Sequence, residues 1–126
     1  APDYAKAHNN LGNVLQALGR LEEAESSYRI ALGWKPDYAE AHSNLGNTLQ
    51  ELGMLERAEI SYRAAVKFAP DFAEAYSNLS LILEKLGKSQ EAEKAIKKQF
   101  LCRQIFQALI ATSVLHSKKL AILEAL

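Results

Sequence analysis

The stretch that decides the fold of this chain is Pro36-Asp37-Tyr38-Ala39-Glu40-Ala41-His42-Ser43-Asn44-Leu45-Gly46-Asn47. Closely similar stretches begin at Pro2 and at Pro70, so the three prolines are spaced 34 residues apart. A fixed period of this size indicates a repeat array, in which each repeat is one supersecondary unit that stacks on its neighbours. The 126 residues therefore predict one modest domain made of copies of one unit.

Each unit contains two helical patterns separated by a glycine. Apolar residues recur at intervals of three and four before Gly19 and again between Gly19 and Pro36, as expected for one face of each of two helices. Glycine readily adopts the left-handed conformation of a helix C-cap, and proline cannot continue a helix. The spacing predicts helices near 4–18, 21–34, 38–52, 55–68, 72–86 and from 89 onward.

Two finer features of the units carry structural expectations. Asp37 with Glu40, and Asp71 with Glu74, have the spacing of a capping box, which the first unit lacks because Lys6 follows Asp3. Small residues recur in phase with the large ones and should allow the helices of a pair to approach closely. They are Ala5, Ala7, Gly12, Ala24, Ala39, Ala41, Gly46 and Ala58.

These positions resemble the tetratricopeptide repeat (TPR) family. The first unit reads His8-x2-Leu11-Gly12-x2-Leu15, then Ala24-x3-Tyr28, then Pro36, and the second unit repeats this pattern in register. The resemblance implies an all-α fold, a right-handed α-solenoid of three TPR helix pairs with a C-terminal helical extension. It divides the chain into 1–103, with units at about 5–38, 39–72 and 73–106, and an extension over 104–126.

The third unit and the tail depart from the pattern. Ser80 replaces the glycine, Ile96 replaces the aromatic residue, and no Pro or Gly follows Gly87. We therefore expect the last helix to run beyond Arg103, to about Ala111. An apolar stripe in the tail should pack on the third repeat or meet another chain, and it consists of Ile105, Phe106, Leu109 and Ile110.

The distribution of charge favours contact of the apolar stripe with another chain, in a homodimer formed through the C-terminal region. Residues 1–87 hold 8 basic and 12 acidic side chains, a net of −4, whereas residues 88–126 hold 7 basic and 3 acidic ones, a net of +4. The two parts should attract each other, within one chain or between chains.

Five asparagines recur in register although asparagine is a poor residue for a helix interior. Asn10, Asn44 and Asn78 share one place in the three units, and Asn13 and Asn47 follow one turn later. They are either polar filler in a duplicated sequence or a binding surface. The TPR resemblance places the first helix of each pair on the concave face, and the repeats are similar to the TPR array of O-linked N-acetylglucosamine transferases, where inner asparagines hold extended polypeptides.

The predicted site is therefore a concave groove for an extended peptide. It is lined by Asn10, Asn13, Asn44, Asn47 and Asn78, and bordered by Lys6, Glu40, Glu74, Gln16, Gln50 and Glu84. The border holds more acid than base, which favours a neutral or basic peptide.

The sequence contains no motif for nucleic-acid binding, membrane insertion, metal binding or catalysis. Zero net charge argues against a nucleic-acid partner, and no apolar run is long enough to span a membrane. A single cysteine, Cys102, excludes an internal disulfide, while His8 and His42 repeat a structural position rather than forming a metal site. No catalytic constellation and no cofactor motif is present, so we expect a non-enzymatic, cytoplasmic protein.

Three functions remain open from the sequence. The first is a non-catalytic protein-interaction module, and the second is the substrate-recruiting segment of a larger glycosyltransferase-type enzyme. The third is a self-associating scaffold. Because the chain opens on the last residues of a repeat, we expect it to be a piece of a longer protein.

Overall fold

The computed structural model of the chain describes residues 3–126; Pro2, where the first copy of the motif begins, lies outside the described residues. Within that range the chain forms six α-helices and no strand. The helices are α1 (Tyr4–Ala17), α2 (Leu21–Trp34), α3 (Ala39–Glu51), α4 (Leu55–Phe68), α5 (Ala73–Lys85) and α6 (Ser89–Ala125). The all-α fold and the predicted helix positions are confirmed, with starts and ends within one residue for the first five.

The helices stack as three hairpins, α1–α2, α3–α4 and α5–α6. Successive hairpins meet through α2 with α3 and through α4 with α5. The backbones of the first helices also approach one another, α1 with α3 and α3 with α5, whereas within residues 3–126 the backbones of α2, α4 and α6 do not come equally close to one another. The first helices therefore lie on the inner, closely spaced side of an α-solenoid, and the second helices lie on its outer side.

Each first helix ends at a glycine with a positive φ. In α1, the N–H of Gly19 (φ 75°) donates to the carbonyl of Gln16, and the N–H of Arg20 donates to the carbonyl of Leu15. This pair of bonds is the Schellman motif, and it recurs at Gly53 and Gly87. The turn directs the second helix back along the first in all three units.

The expected capping boxes are not formed. The N-caps of α3 and α5 are Tyr38 and Phe72, and neither makes a side-chain cap hydrogen bond. By contrast, the carboxylate of Asp3 accepts from the backbone N–H of Lys6 at 3.1 Å, in the unit that lacks the box. The aspartates of the later units lie one position before the cap residue, so their carboxylates lie outside the capping position.

In each of the first two hairpins, a tyrosine of the second helix packs against a glycine of the first helix. Tyr28 and Tyr62 are fully buried, and a Cβ added to Gly12 or Gly46 would lie 2.5 or 2.6 Å from the ring. Only glycine therefore allows the ring to reach the helix backbone. Of the other small residues, Ala5, Ala24, Ala41 and Ala58 are buried as expected, but Ala39 is half-buried and Ala7 is exposed.

One hydrophobic core runs through all three hairpins. It includes Leu15, Tyr28, Leu45, Leu49, Tyr62, Leu79, Ile82 and Leu83, together with Ala24, Ala58, Ala92 and Ala95. On the outer side, ion pairs join successive repeats, Arg57 to Glu25 at 2.6 Å and Lys88 to Glu59 at 2.9 Å. The core is thus continuous along the stack rather than divided between units.

The last helix extends well past its expected end. The sequence predicted a helix to about Ala111, whereas α6 runs unbroken to Ala125, a length of about 55 Å. Residues 103–126 are all exposed, including the predicted stripe Ile105, Phe106, Leu109 and Ile110. Except at Ile105, which borders a depression lined also by Pro70 and Tyr76, the tail therefore does not pack on the third repeat. The proposed division at position 103 stays a prediction.

We predict that Gly46→Ala destabilises the fold, because its methyl group would collide with the ring of Tyr62. Overpacking of about 1–3 kcal/mol should outweigh a gain of up to about 1 kcal/mol in helix propensity. The matched control is Gly33→Ala, where an added Cβ meets nothing within 4 Å. Urea unfolding should show a lower midpoint for the first variant and an equal or higher midpoint for the second. Equal midpoints for both variants would contradict the close contact.

Candidate functional site

The inner wall carries the residues that the sequence selected. The five asparagines and the border residues all lie on α1, α3 or α5, the helices of the concave side. Asn10, Asn13, Lys6, Glu40 and Glu74 are exposed, and the amides of the second and third units are half-buried, namely Asn44, Asn47 and Asn78. The wall is therefore partly open to solvent and partly enclosed between repeats.

A hydrogen-bonded chain crosses from α1 to α3 through Asn9, which is fully buried. The Nδ2 of Asn9 donates to Oε1 of Glu40 at 3.3 Å, and its Oδ1 accepts from Nδ2 of Asn44 at 3.1 Å. An ionised carboxylate can only accept, so Glu40 orients the amide of Asn9, which in turn orients that of Asn44. This leaves Oδ1 of Asn44 without a partner in the described part of the chain.

The second row of asparagines binds the buried tyrosines. The hydroxyl of Tyr28 donates to Oδ1 of Asn13 (2.7 Å) and to Oε1 of Gln16 (3.1 Å). One repeat later, the hydroxyl of Tyr62 donates to Oδ1 of Asn47 (2.6 Å) and Oε1 of Gln50 (3.2 Å). These asparagines thus accept hydrogen bonds from tyrosine hydroxyl groups that are buried in the core and cannot bond to water.

The two rows leave complementary groups unused. Oδ1 of Asn47 also accepts from Nδ2 of Asn78, at 3.2 Å. Asn13 and Asn47 therefore keep Nδ2 as an unused donor, while Asn44 and Asn78 keep Oδ1 as an unused acceptor, within residues 3–126. A peptide backbone carries one N–H and one C=O per residue, so this wall matches both of its polar groups.

The predicted site left out the most buried member of the network, Asn9. Asn9 was not selected because Ser43 and Ser77 occupy its place in the later units, so the repeat pattern contains no signal for it. Thr48 was also missed; its hydroxyl donates to Oε1 of Gln16 at 3.1 Å and thereby links α3 to α1. Both residues contribute by joining neighbouring repeats, which periodicity within one unit does not reveal.

The groove is more acidic than basic. A depression of about 490 Å³ on the inner side is lined by Gln16, Asn47, Gln50, Glu51 and Lys85. The Nε2 of Gln16 donates to Glu51 at 2.8 Å. Glu40 and Glu74 add two further exposed carboxylates to the same wall, against the ammonium groups of Lys6 and Lys85.

A larger depression, of about 720 Å³, lies between the outer helices α4 and α6. Apolar side chains of α5 contribute to its lining, and its rim is basic through Arg63, Lys67, Lys94 and Lys98. It has a sign of charge opposite to that of the groove. The two surfaces would therefore select different partners.

The histidines have structural surroundings. The Nε2 of His42 donates to the carbonyl of Pro36 at 2.8 Å, and its ring stacks on Phe68 with 5.6 Å between centroids. The Nδ1 of His8 is buried without a hydrogen-bond partner in the described chain. Between residues 3 and 126, no three His, Cys, Asp or Glu side chains are close enough to hold a metal ion together.

None of the helices in the described range is both long and apolar enough to cross a membrane. The cytoplasmic location expected from the sequence stays a prediction.

Family comparison agrees with the repeat geometry. A family model described as tetratricopeptide repeat matches residues 3–71, more than half of the chain, and a second tetratricopeptide repeat model matches residues 61–94. The chain therefore belongs to the tetratricopeptide repeat family. A search of curated proteins finds no match.

Solved structures share the fold. A crystal structure of MamA is 24% identical with a TM-score of 0.81, over 84% of this chain and 62% of that one. The second TPR of Spaghetti (RPAP3), bound to the HSP90 peptide SRMEEVD, is 20% identical with a TM-score of 0.76, over 79% of this chain and 92% of that one. The chain thus spans less than two thirds of the MamA structure.

We predict that the folded state loses stability at alkaline pH because the buried tyrosines ionise. Burial, reinforced by Glu40 and Glu51, raises the pKa of Tyr28 to about 12 from its ordinary value of 10, and burial also raises the pKa of Tyr62. The folded state holds the proton more tightly, so this contribution to stability is complete below pH 10 and is lost as the pH rises through 12.

Tyrosinate absorbance and helical circular dichroism, followed together in a pH titration, test this coupling. Tyr28 should ionise in one late phase that coincides with loss of helix, and Tyr28→Phe should lack part of that absorbance phase. Ionisation of every tyrosine before any helix is lost would contradict the prediction.

Proposed function

We propose that this chain is a non-catalytic interaction module that binds an extended polypeptide along its inner wall. The observation that carries the proposal is the pattern of unused amide groups, donors on Asn13 and Asn47 and acceptors on Asn44 and Asn78. Amides that bind the backbone of a peptide need not read its side chains. Asn10, exposed at the end of the wall, would extend the contact by one residue of the ligand.

The charge of the wall favours a neutral or basic peptide. Glu40, Glu51 and Glu74 lie on or beside the asparagine rows, and a peptide rich in acid would meet like charge there. The RPAP3 repeat is bound to SRMEEVD, a peptide with three acidic residues and one arginine. The proposed ligand of this chain therefore differs in charge from that peptide, although the fold is shared.

The double variant Asn44→Ala/Asn78→Ala should weaken binding by about 5- to 150-fold, because each amide contributes roughly 0.5–1.5 kcal/mol. The probe is a library of extended ten-residue peptides that are neutral or lysine-containing, titrated by fluorescence anisotropy. Both amides also bond to neighbouring repeats, so a lower melting temperature is expected, and binding should be measured well below it.

Lys94→Ala/Lys98→Ala, on the rim of the outer depression, is the matched control and should leave binding unchanged. If the outer variant abolishes binding and the inner variant does not, the asparagines are only structural and the ligand lies on the other face. In the alternative function, this chain is the substrate-recruiting segment of a larger glycosyltransferase-type enzyme, and the same groove binds the substrate. The full parent sequence tests that alternative, because it would contain a catalytic domain.

Self-association is a second candidate function, and the exposed tail favours it. Phe106 and Leu109 are 66% and 64% exposed, and Ile105 and Ile110 are about half exposed. Burying residues of this kind contributes about 1.5–3 kcal/mol each, which is a strong driving force for covering them. We propose that a second copy of the chain covers them in a homodimer.

Phe106→Ser/Leu109→Ser should convert a dimer into a monomer, as measured by light scattering coupled to size-exclusion chromatography. The fold should survive, because both side chains lie on the exposed part of α6. The paired control is Ile60→Ser/Trp34→Ser, which removes two exposed apolar residues from the outer helices and should leave the mass unchanged. A wild-type protein that stays monomeric at high concentration would rule out this candidate.

A further inference from the structure

The third unit differs from the others at four positions that form one cluster in the first two. In unit one the cluster is Gly12, Asn13, Gln16 and Tyr28, and in unit two it is Gly46, Asn47, Gln50 and Tyr62. The corresponding residues of unit three are Ser80, Leu81, Glu84 and Ile96. Unit three thus lacks the tyrosine, the glycine that the ring packs against, and the asparagine and glutamine amides that accept from the hydroxyl.

Two of these replacements, Leu81 for asparagine and Ile96 for tyrosine, add exposed apolar side chains at the end of the solenoid. Tyr28 and Tyr62 are fully buried, and a following hairpin stacks on each of their units, but Ile96 is 48% exposed. Leu81 and Phe100 are 56% and 62% exposed. Terminal repeats normally present a polar outer face, whereas here polar residues of the repeat are replaced by exposed apolar ones. We call Leu81, Ile96 and Phe100 the open-end patch.

On the helix that carries Ile96 and Phe100, one carboxylate lacks the partner that its counterparts receive from a following repeat. Glu25 and Glu59 each bind a cation of the next repeat, through Arg57 and Lys88. Their counterpart in unit three, Glu93, bonds only to Lys97 of its own helix within residues 3–126, at 3.3 Å. The end of the stack therefore offers an apolar surface and an acid placed where the earlier units receive a basic partner.

The tail of α6 has the complementary composition. Its apolar residues, from Phe106 to Leu123, point in every direction around the helix, a pattern typical of helices that are surrounded by protein. Its only charges beyond Gln104 are Lys118, Lys119 and Glu124. Because α6 is one continuous helix from Ser89 to Ala125, the tail cannot bend back onto Ile96 or Phe100 of its own chain.

We propose that the open-end patch is the docking site for the α6 tail of a second copy. The tail takes the place that the first helix of a further repeat would occupy, with its lysines toward Glu84 and Glu93. In a two-fold dimer the same contact forms twice, and the two α6 helices run antiparallel. The inference rests on the self-association candidate and adds the surface that the tail meets.

The test is to restore the repeat cluster in the full chain with Ser80→Gly/Leu81→Asn/Glu84→Gln/Ile96→Tyr. This variant reinstates the residues of the first two units, so its helical content should match that of the wild type. Removing two apolar anchors from the patch should raise the dissociation constant of the dimer by about 100-fold, as measured by sedimentation equilibrium. Glu93→Lys should weaken the dimer further and reduce its dependence on salt.

Val14→Asn is the control at the opposite end of the stack, where Val14 is 57% exposed on α1. It should leave the dimer unchanged. If this control abolishes association instead, copies stack head to tail and the proposal is wrong. If the wild type dimerises and the restored variant dimerises equally well, the tails pair with each other alone, which overturns this inference but not self-association. A monomeric wild type overturns both.

Discussion

The contact between a tyrosine ring and a glycine backbone organises each complete repeat. Tyr28 lies against Gly12, and Tyr62 lies against Gly46, at distances that leave no room for a Cβ atom. The ring brings a second helix close to its first helix and fills the space between them at interior density. Since the next hairpin covers the ring, the same contact provides the surface on which the stack continues.

Burying a tyrosine also buries its hydroxyl, which must then find a hydrogen-bond partner. Asn13 and Asn47 supply that partner from the inner wall, and Asn78 in turn bonds to Asn47. The four asparagines Asn13, Asn44, Asn47 and Asn78 therefore have a structural role, whatever they bind. The oxygens of Asn13 and Asn47 and the amide nitrogens of Asn44 and Asn78 serve the core or the neighbouring repeat. The amide groups that remain unused are those of the proposed groove. Stability and the proposed recognition share the same side chains.

The third unit lacks the tyrosine and is released from this constraint. Ile96 has no hydroxyl to satisfy, so Leu81 can replace the asparagine and Ser80 can replace the glycine without an orphaned polar group. No Pro or Gly interrupts the chain after Gly87, and α6 continues as a single helix to Ala125. The array ends by exposing apolar surface on its last hairpin and along its last helix.

The sequence by itself determined the secondary structure and the repeat organisation of this protein. The helix starts and ends and the glycine stops follow from residues close together in the chain, and the 34-residue period follows from comparing its copies. The choice of α1, α3 and α5 for the candidate site came instead from the resemblance to the TPR family. Periodicity compares equivalent positions, so it found the asparagines that recur. It could not find Asn9, whose place in the later units is taken by serine.

Only the tertiary structure decided which groups meet between repeats. The bonds from Asn9 to Glu40 and from Asn78 to Asn47 join residues that are 31 positions apart, and their geometry determines which amide atoms stay unused. Likewise, Asp37 and Asp71 have capping-box spacing, yet the helices begin too late for these aspartates to cap them. The length of α6 also exceeded the expectation, because nothing in the chain stops a helix whose residues all tolerate helical geometry.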